Sequence, residues 1–102
     1  MIKPGYTCPI YLYMLRCNDD TIYVGITNDV DQRLKEHQGG TNPTAYTYTR
    51  RPVELIYVEG YTSEWTAIAA EKRIKRWSKK KKLAFVDGKW NQLKLLAKKK
   101  FK

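Results

Sequence analysis

Two short segments near the start of the chain are rich in aromatic and β-branched residues. They run from Ile10 to Arg16 and from Thr21 to Thr27, and this composition is typical of strands. The residues between them, Asn18, Asp19 and Asp20, favour turns because their short polar side chains can bond to the local backbone. The pattern therefore predicts an antiparallel β-hairpin.

The length of this turn decides which side chains share a face of the hairpin, because successive side chains of a strand point to opposite faces. A three-residue turn would pair Tyr13 with Gly25 and so place Tyr13 and Tyr23 on one face. Such a turn needs one residue in the left-handed region, which Asp20 tolerates. A two-residue turn would separate the tyrosines unless a β-bulge corrected the register.

A short helix is predicted over residues 29–37, directly after the hairpin. Val30, Leu34 and His37 recur there at the spacing of one helix face. Asn28 is the expected N-cap. Two glycines follow the last turn, where glycine favours the end of a helix.

The rest of the chain alternates between patterns for loop, strand and helix. One apolar stripe stands out, formed by Ala67, Ala70, Ile74 and Trp77 at helix spacing. The predicted segments are a loop over 41–51, a strand over 53–60, a helix from Glu64 to about Trp77, and two further helices over 79–86 and 89–99.

These segments follow the order β-β-α-β-α-α-α. Three strands are too few to close a barrel, so the predicted class is α+β, with a small three-stranded antiparallel sheet flanked by helices. A length of 102 residues suits one domain. We expect a single domain over 1–102, with its core at about 10–97 and a basic tail at 98–102.

Composition excludes several classes of protein. Hydrophobic residues make up 42% of the chain, too many for a disordered protein. No apolar run approaches the ~20 residues that span a bilayer, and the first residues lack the pattern of a secretory signal. We expect a cytoplasmic protein without a membrane partner. Cys8 and Cys17 match no metal-binding spacing and are expected to be reduced thiols.

Charge is distributed unevenly along the chain. Residues 72–102 hold 14 Lys and Arg against one acid, and residues 1–71 hold 6 against 9, so that +13 and −3 sum to the overall +10. Such asymmetry favours a polyanionic partner. Nucleic acid is the expected one, and a solvated basic surface is the alternative. The expected contacts are Arg50, Arg51, Lys72, Lys75, Arg76, Lys79, Lys80, Lys81 and Lys82.

Five side chains could carry chemistry: Tyr13, Tyr23, Arg33, His37 and Glu71. An arginine can hold a phosphate through two hydrogen bonds. A histidine can accept a proton near neutral pH. Mg²⁺ often takes only one or two protein carboxylates together with waters and substrate phosphates, so a single glutamate is a sufficient protein ligand. Arg33 and His37 lie four apart and share one side of the predicted helix.

Each of these residues also has a purely structural interpretation. The tyrosines could be ordinary aromatic residues of a sheet, and the histidine a structural side chain. Arg33 could form a surface ion pair with Asp29, and Glu71 could pair with Lys75 one helical turn later.

Two triplets resemble those that give the GIY-YIG nuclease family its name: YLY at residues 11–13 and YVG at residues 23–25. Only the last tyrosine of the first triplet matches, and the second has valine for isoleucine. Arg33, His37 and Glu71 match later family positions in order. The resemblance is to small stand-alone bacterial members, related to the incision domain of the excision-repair nuclease.

The resemblance implies an endonuclease-like domain that hydrolyses DNA with one Mg²⁺ or Mn²⁺ ion and no small-molecule cofactor. We further expect selectivity for nucleic-acid structure and a link to DNA repair or recombination, and we assume a monomer. Ile26 stands where some members carry a cation. Tyr13 would deprotonate the attacking water or pass its proton toward His37, and Tyr23 would position that water or share the role of Tyr13. Arg33 would hold the phosphate, Glu71 would bind the metal, and Asn91 would match the late family asparagine.

Two other classes of function remain open. The chain could be a catalytically weak or inactive nucleic-acid-binding module that uses the basic C-terminal face. It could also be an adaptor whose lysine-rich face binds a partner protein. Metal-dependent cleavage that is lost in Glu71→Ala would separate the enzyme from both.

Overall fold

The computed structural model describes residues 10–88. A three-stranded antiparallel sheet forms its centre, with β1 at Ile10–Arg16, β2 at Ile22–Thr27 and β3 at Glu54–Tyr61. The strand order is β2-β1-β3, so β1 is central. Cys8, Asn91, the helix predicted over 89–99 and the basic tail lie outside the described residues.

The hairpin has a three-residue turn, one of the two lengths that the sequence left open. Tyr13 pairs with Gly25 and Leu15 with Tyr23, and Asp20 has the left-handed φ of 68°. The Nε of Arg16 donates to Oδ1 of Asp20 at 2.9 Å, which holds the turn from the strand side. The pairing of β1 with β3 is less regular, with a shift in register between Met14 and Leu15.

Helices connect and cover the strands. Helix α1 spans Val30–Gly39 and α2 spans Glu64–Lys75. A third helical segment, α3, covers residues 79–88, and a single 3-10 turn at Tyr48–Arg50 interrupts the loop before β3. None of the helices within residues 10–88 is long and apolar enough to cross a membrane.

The helix ends differ slightly from prediction. Asp29 rather than Asn28 caps α1, because its side chain accepts a hydrogen bond from the backbone N–H of Gln32. Gly40 ends the helix with a left-handed φ of 64°. Helix α2 stops at Lys75 rather than Trp77, where the backbone N–H of Arg76 turns back to the carbonyls of Arg73 and Ile74.

The two faces of the sheet carry different layers. Leu12 and Met14 of β1 pack against Ala70 and Ile74 of α2 and against Val86 of α3. Tyr13, Leu15 and Cys17 point to the opposite face, where Leu34 of α1 and Val53 complete a second cluster. Three of the four residues predicted for the α2 stripe are buried, and the fourth, Trp77, lies beyond the end of the helix and is partly buried. The three-stranded sheet between helices confirms the α+β class.

Candidate active site

Gly25, the last residue of the YVG triplet, makes room for the ring of Tyr13. The two residues face each other across the hairpin. A Cβ on Gly25 would lie 2.7 Å from the hydroxyl of Tyr13 and 2.8 Å from its Cζ, which is closer than side-chain atoms pack. Tyr13 is only 1% exposed. Its ring therefore lies directly over the backbone of the neighbouring strand, and only glycine permits this.

The phenol of Tyr13 is connected to a histidine and a threonine. Its hydroxyl lies 2.9 Å from Nε2 of His37, and Nδ1 of the same imidazole lies 2.6 Å from Oγ1 of Thr47. His37 is 8% exposed and Thr47 is 1% exposed. The three side chains come from β1, α1 and the loop before β3, and they form one buried polar chain.

Tyr23 shares the α1 face with Tyr13 and is more accessible. The ring centroids of Tyr13 and Tyr23 are 6.1 Å apart. Tyr23 meets the edge of His37 with a centroid distance of 5.1 Å and stacks on Tyr46 at 5.9 Å. The three-residue turn thus brings both triplet tyrosines to the histidine.

Arg33 lies beside this cluster on α1. Its Nε donates to Oε1 of Glu36 at 3.1 Å, and both side chains are about two-fifths exposed. The structural alternative for Arg33 was an ion pair with Asp29, and the structure shows one with Glu36 instead. The guanidinium also interacts with the phenol of Tyr13 and favours its ionised form.

The surroundings keep both Tyr13 and His37 neutral near pH 7. Burial raises the pKa of Tyr13 well above its usual value, the nearby phenol of Tyr23 raises it further, and Arg33 opposes them only in part. Burial also lowers the pKa of His37, and the positive charge of Arg33 acts in the same direction. A neutral phenol and a neutral imidazole can exchange a proton along their hydrogen bond.

A pocket of about 210 Å³ opens next to the cluster. Its lining includes Tyr23, Arg33, Glu36 and His37 and, from the following loop, Thr41, Asn42, Thr47 and Tyr48. Neither Tyr13 nor Glu71 is among the described residues that line it. Tyr13 therefore stands behind Tyr23 and His37, one step removed from the pocket.

Glu71 is on α2, which packs against the other face of the sheet. Its side chain is 18% exposed, and Oε2 lies 3.1 Å from Nζ of Lys75. This ion pair is the structural alternative to metal binding by Glu71. Helix α2 contacts mainly β2 and β1, so Glu71 belongs to the helix that covers the strand of Tyr23. Its role as a metal ligand stays a prediction.

Two of the residues predicted to contact nucleic acid form hydrogen bonds within the protein. Arg50 donates to Oδ2 of Asp19 at 2.9 Å and to the carbonyl of Tyr46 at 2.7 Å, and its guanidinium lies over the ring of Tyr46. Arg51 donates to the carbonyl of Tyr48 at 2.8 Å. These contacts fix the loop that carries Thr47, so they give both arginines a structural role.

The remaining predicted contacts lie on the α2–α3 layer. Lys79 pairs with Asp20 of the hairpin turn, Lys81 lies over the ring of Trp77 at 4.5 Å, and Lys82 is part-buried with Nζ 3.5 Å from the carbonyl of Ile22. Burial lowers the pKa of Lys82, and Lys75 lowers it further. The exposed cations of this layer are Lys72, Arg73, Lys75, Arg76, Lys79, Lys80 and Lys81.

Sequence reasoning missed Thr47 and Tyr46, which touch His37 and Tyr23. Both lie in the segment that was predicted to be a featureless loop, since no periodic pattern marks them. The structure brings Tyr13, Tyr23, Arg33 and His37 together, and it leaves Glu71 on the neighbouring layer.

Comparison with known proteins agrees with this geometry. The family model described as the GIY-YIG catalytic domain matches residues 9–84. Because the match spans most of the chain, the protein belongs to the GIY-YIG family and carries a nuclease-family domain.

The relatives within this family are small proteins. A UPF0213 protein from Bacillus pumilus is 42% identical over 77 residues, which cover 76% of this chain and 78% of the relative. The solution NMR structure of a UPF0213 protein from Bacillus halodurans is 36% identical with a TM-score of 0.51, and that of a protein from E. faecalis is 32% identical with a TM-score of 0.56. Each alignment covers 76% of this chain and 82% of the solved one.

Proposed function

We propose that the protein is a metal-dependent endonuclease that hydrolyses phosphodiester bonds of DNA and selects its substrate by structure. The observation that carries this proposal is the hydrogen bond between Tyr13 and His37 directly behind a pocket lined by Tyr23 and Arg33. The family's catalytic domain supports the reaction class, and the resemblance to an incision domain supports a role in repair or recombination.

The attacking water would meet Tyr23, because Tyr23 lines the pocket and Tyr13 does not. As the water loses a proton to the Tyr23 hydroxyl, Tyr23 passes its own proton to the phenol of Tyr13, and Tyr13 passes one to Nε2 of His37. The new P–O bond forms as the bond to the leaving oxygen breaks, and that oxygen departs after taking a proton from solvent. A relay of this kind removes the need to ionise a phenol whose pKa burial has raised.

Arg33 would hold a non-bridging oxygen of the scissile phosphate. Its Nε is occupied by Glu36, but a guanidinium has five N–H donors, so the others can bind an anion. Such donors stabilise the charge that develops on phosphate oxygens in the transition state.

Glu71 would be the protein ligand of the divalent ion. The described residues contain no group of three or more histidine, cysteine or acidic side chains that could hold a metal. A single carboxylate still fits Mg²⁺, which keeps several waters and takes further oxygens from a substrate phosphate. When bound, such an ion neutralises charge on the reacting phosphate. The present pairing with Lys75 would have to open for Glu71 to act.

Cleavage of labelled duplex, single-stranded, flapped and branched DNA with Mg²⁺ or Mn²⁺ tests the proposal. Wild type should cut at least one structure, and Tyr23→Phe, Arg33→Ala and Glu71→Gln should each reduce the rate by about 100-fold or more. Tyr11→Phe is the matched control, since Tyr11 also faces the α1 side but lines a separate groove at the other end of α1.

A nucleic-acid-binding module is the second candidate, and the ion pair between Glu71 and Lys75 favours it. A folded wild type that binds these DNAs but cuts none of them would establish the binding module in place of the enzyme.

A further inference from the structure

Thr47 is a buried hydroxyl whose only hydrogen-bonding side chain among the described contacts is His37. Its Oγ1 lies 2.6 Å from Nδ1, and the residue is 1% exposed. The segment that presents it is tied down on both sides, since the backbone N–H of Arg50 donates to the carbonyl of Thr47 at 3.0 Å and the guanidinium of Arg50 bonds to the carbonyl of Tyr46. A buried threonine in a short, pinned segment holds its hydroxyl at a fixed position.

The direction of each hydrogen bond in the chain follows from what its neighbours can donate. Arg33 interacts with the phenol of Tyr13, and arginine has donors but no acceptor. The positive charge of Arg33 favours the orientation in which the phenol hydrogen of Tyr13 points away from the guanidinium, toward Nε2 of His37 at 2.9 Å.

The same reasoning fixes the other side of the imidazole. A neutral imidazole carries one N–H, so if Nε2 accepts from Tyr13, then Nδ1 donates. Its partner at 2.6 Å is the hydroxyl oxygen of Thr47, which can accept. Replacing this oxygen with a methyl group would leave Nδ1–H buried without an acceptor.

We propose that Thr47 is a positioning residue that holds His37 in the Nδ1–H tautomer with Nε2 directed at Tyr13. It would act through His37, because its hydroxyl bonds to the imidazole and the residue is only 1% exposed although it lines the pocket. The inference rests on the proposed function for its kinetic consequence, but the tautomer itself can be measured on the free protein.

His37 is the only histidine in the chain, so its ring nitrogens can be observed without assignment. Long-range ¹H–¹⁵N correlation spectra of the wild-type protein near neutral pH should show one tautomer, protonated at Nδ1. Thr47→Val should give a mixture of tautomers or the Nε2–H form, and Thr47→Ser should restore the wild-type pattern because it keeps the hydroxyl.

The kinetic arm uses the same variants on whichever DNA the wild type cuts. Thr47→Val should lower kcat by about 10- to 100-fold with little change in KM, the size of effect typical for residues that orient a functional histidine. Thr47→Ser should recover most of this loss. Thr49→Val is the control, because Thr49 is exposed in the same segment and should leave both tautomer and rate unchanged.

The result that overturns the proposal is a wild-type imidazole protonated at Nε2, or a Thr47→Val protein that keeps the wild-type tautomer. If no DNA is cut, the spectra still decide the position of the proton, so failure of the nuclease function and failure of this inference are separate outcomes. A rate lost equally in the valine and serine variants, with an unchanged tautomer, would show a packing role only.

Discussion

At the scale of single residues, His37 should make the stability of the fold depend on pH. Burial and then the charge of Arg33 lower its pKa in the folded protein below the usual value of about 6.5. At a pH between the pKa of His37 in the folded protein and its pKa in the unfolded chain, the unfolded chain binds a proton that the folded protein does not. The free energy of unfolding should therefore fall as the pH drops below about 6.5, with a slope of at most about 1.4 kcal/mol per pH unit, and show no such dependence above it.

Urea unfolding at a series of pH values between about 7.5 and 5 measures this effect. His37→Gln should remove the slope in this window, because no other histidine is present. Two aspartates also have lowered pKa values: the hydrogen bond with Thr21 lowers the pKa of Asp19, and the hydrogen bond with Lys79 lowers the pKa of Asp20. Both therefore titrate at more acidic pH. A variant that keeps the full slope would show that another group is responsible.

At the scale of elements, the contact between Tyr13 and Gly25 ties the hairpin to the site. Gly25→Ala would place a Cβ 2.7 Å from the hydroxyl of Tyr13, and Tyr13 is enclosed on every side. We expect a loss of about 1–3 kcal/mol in stability, as for other overpacked cores. DNA cleavage should decrease further than stability alone explains, because the displaced phenol would leave His37.

Gly39→Ala is the matched control for that substitution. Gly39 is helical, and a Cβ there would find its nearest neighbour at 3.9 Å. Alanine should stabilise the helix by up to about 1 kcal/mol and leave cleavage unchanged. Denaturant unfolding and cleavage rates of the two variants, compared side by side, check the prediction. If both variants had the same stability and the same cleavage rate, the contact between Tyr13 and Gly25 would have no special role.

The same hairpin shows how far the sequence could predict this protein. The turn residues predicted the hairpin and limited its register to two alternatives, and the structure shows the one in which Asp20 takes a positive φ and Tyr13 and Tyr23 share a face. The buried stripe of α2 followed from helix spacing. Both depend on neighbours within a few residues, which a single sequence displays.

Contacts between distant segments were not predictable in this way. Thr47 reaches His37 across ten residues, from a loop without any period, and Arg50 reaches Asp19 across 31. The side of the sheet that α2 covers, and with it the separation of Glu71 from the pocket, also depends on how the layers assemble. For these features the sequence supplied candidate residues but not their partners.

At the scale of the whole molecule, the cluster of basic residues and the pocket lie on different layers of the fold. The pocket is on the α1 side, whereas residues 72–88 carry 8 Lys and Arg against one acid on the α2–α3 layer. Lys72 of α2 and Arg76, the residue that caps this helix, are both exposed and lie one helical turn apart, opposite the buried stripe. We expect this surface to supply much of the affinity for DNA through phosphate contacts that carry no sequence information.

The dependence of DNA affinity on salt measures that contribution. Each phosphate contact contributes about 0.9 to the slope of log K against log salt concentration, so Lys72→Gln with Arg76→Gln should lower the slope by about 2. The exchange Lys72→Arg with Arg76→Lys keeps both charges and should keep the slope. Binding measured by fluorescence anisotropy in EDTA avoids cleavage. A neutralised double variant with the wild-type slope would mean that DNA does not contact this surface, and the α1 side with Arg33 would then have to hold the backbone alone.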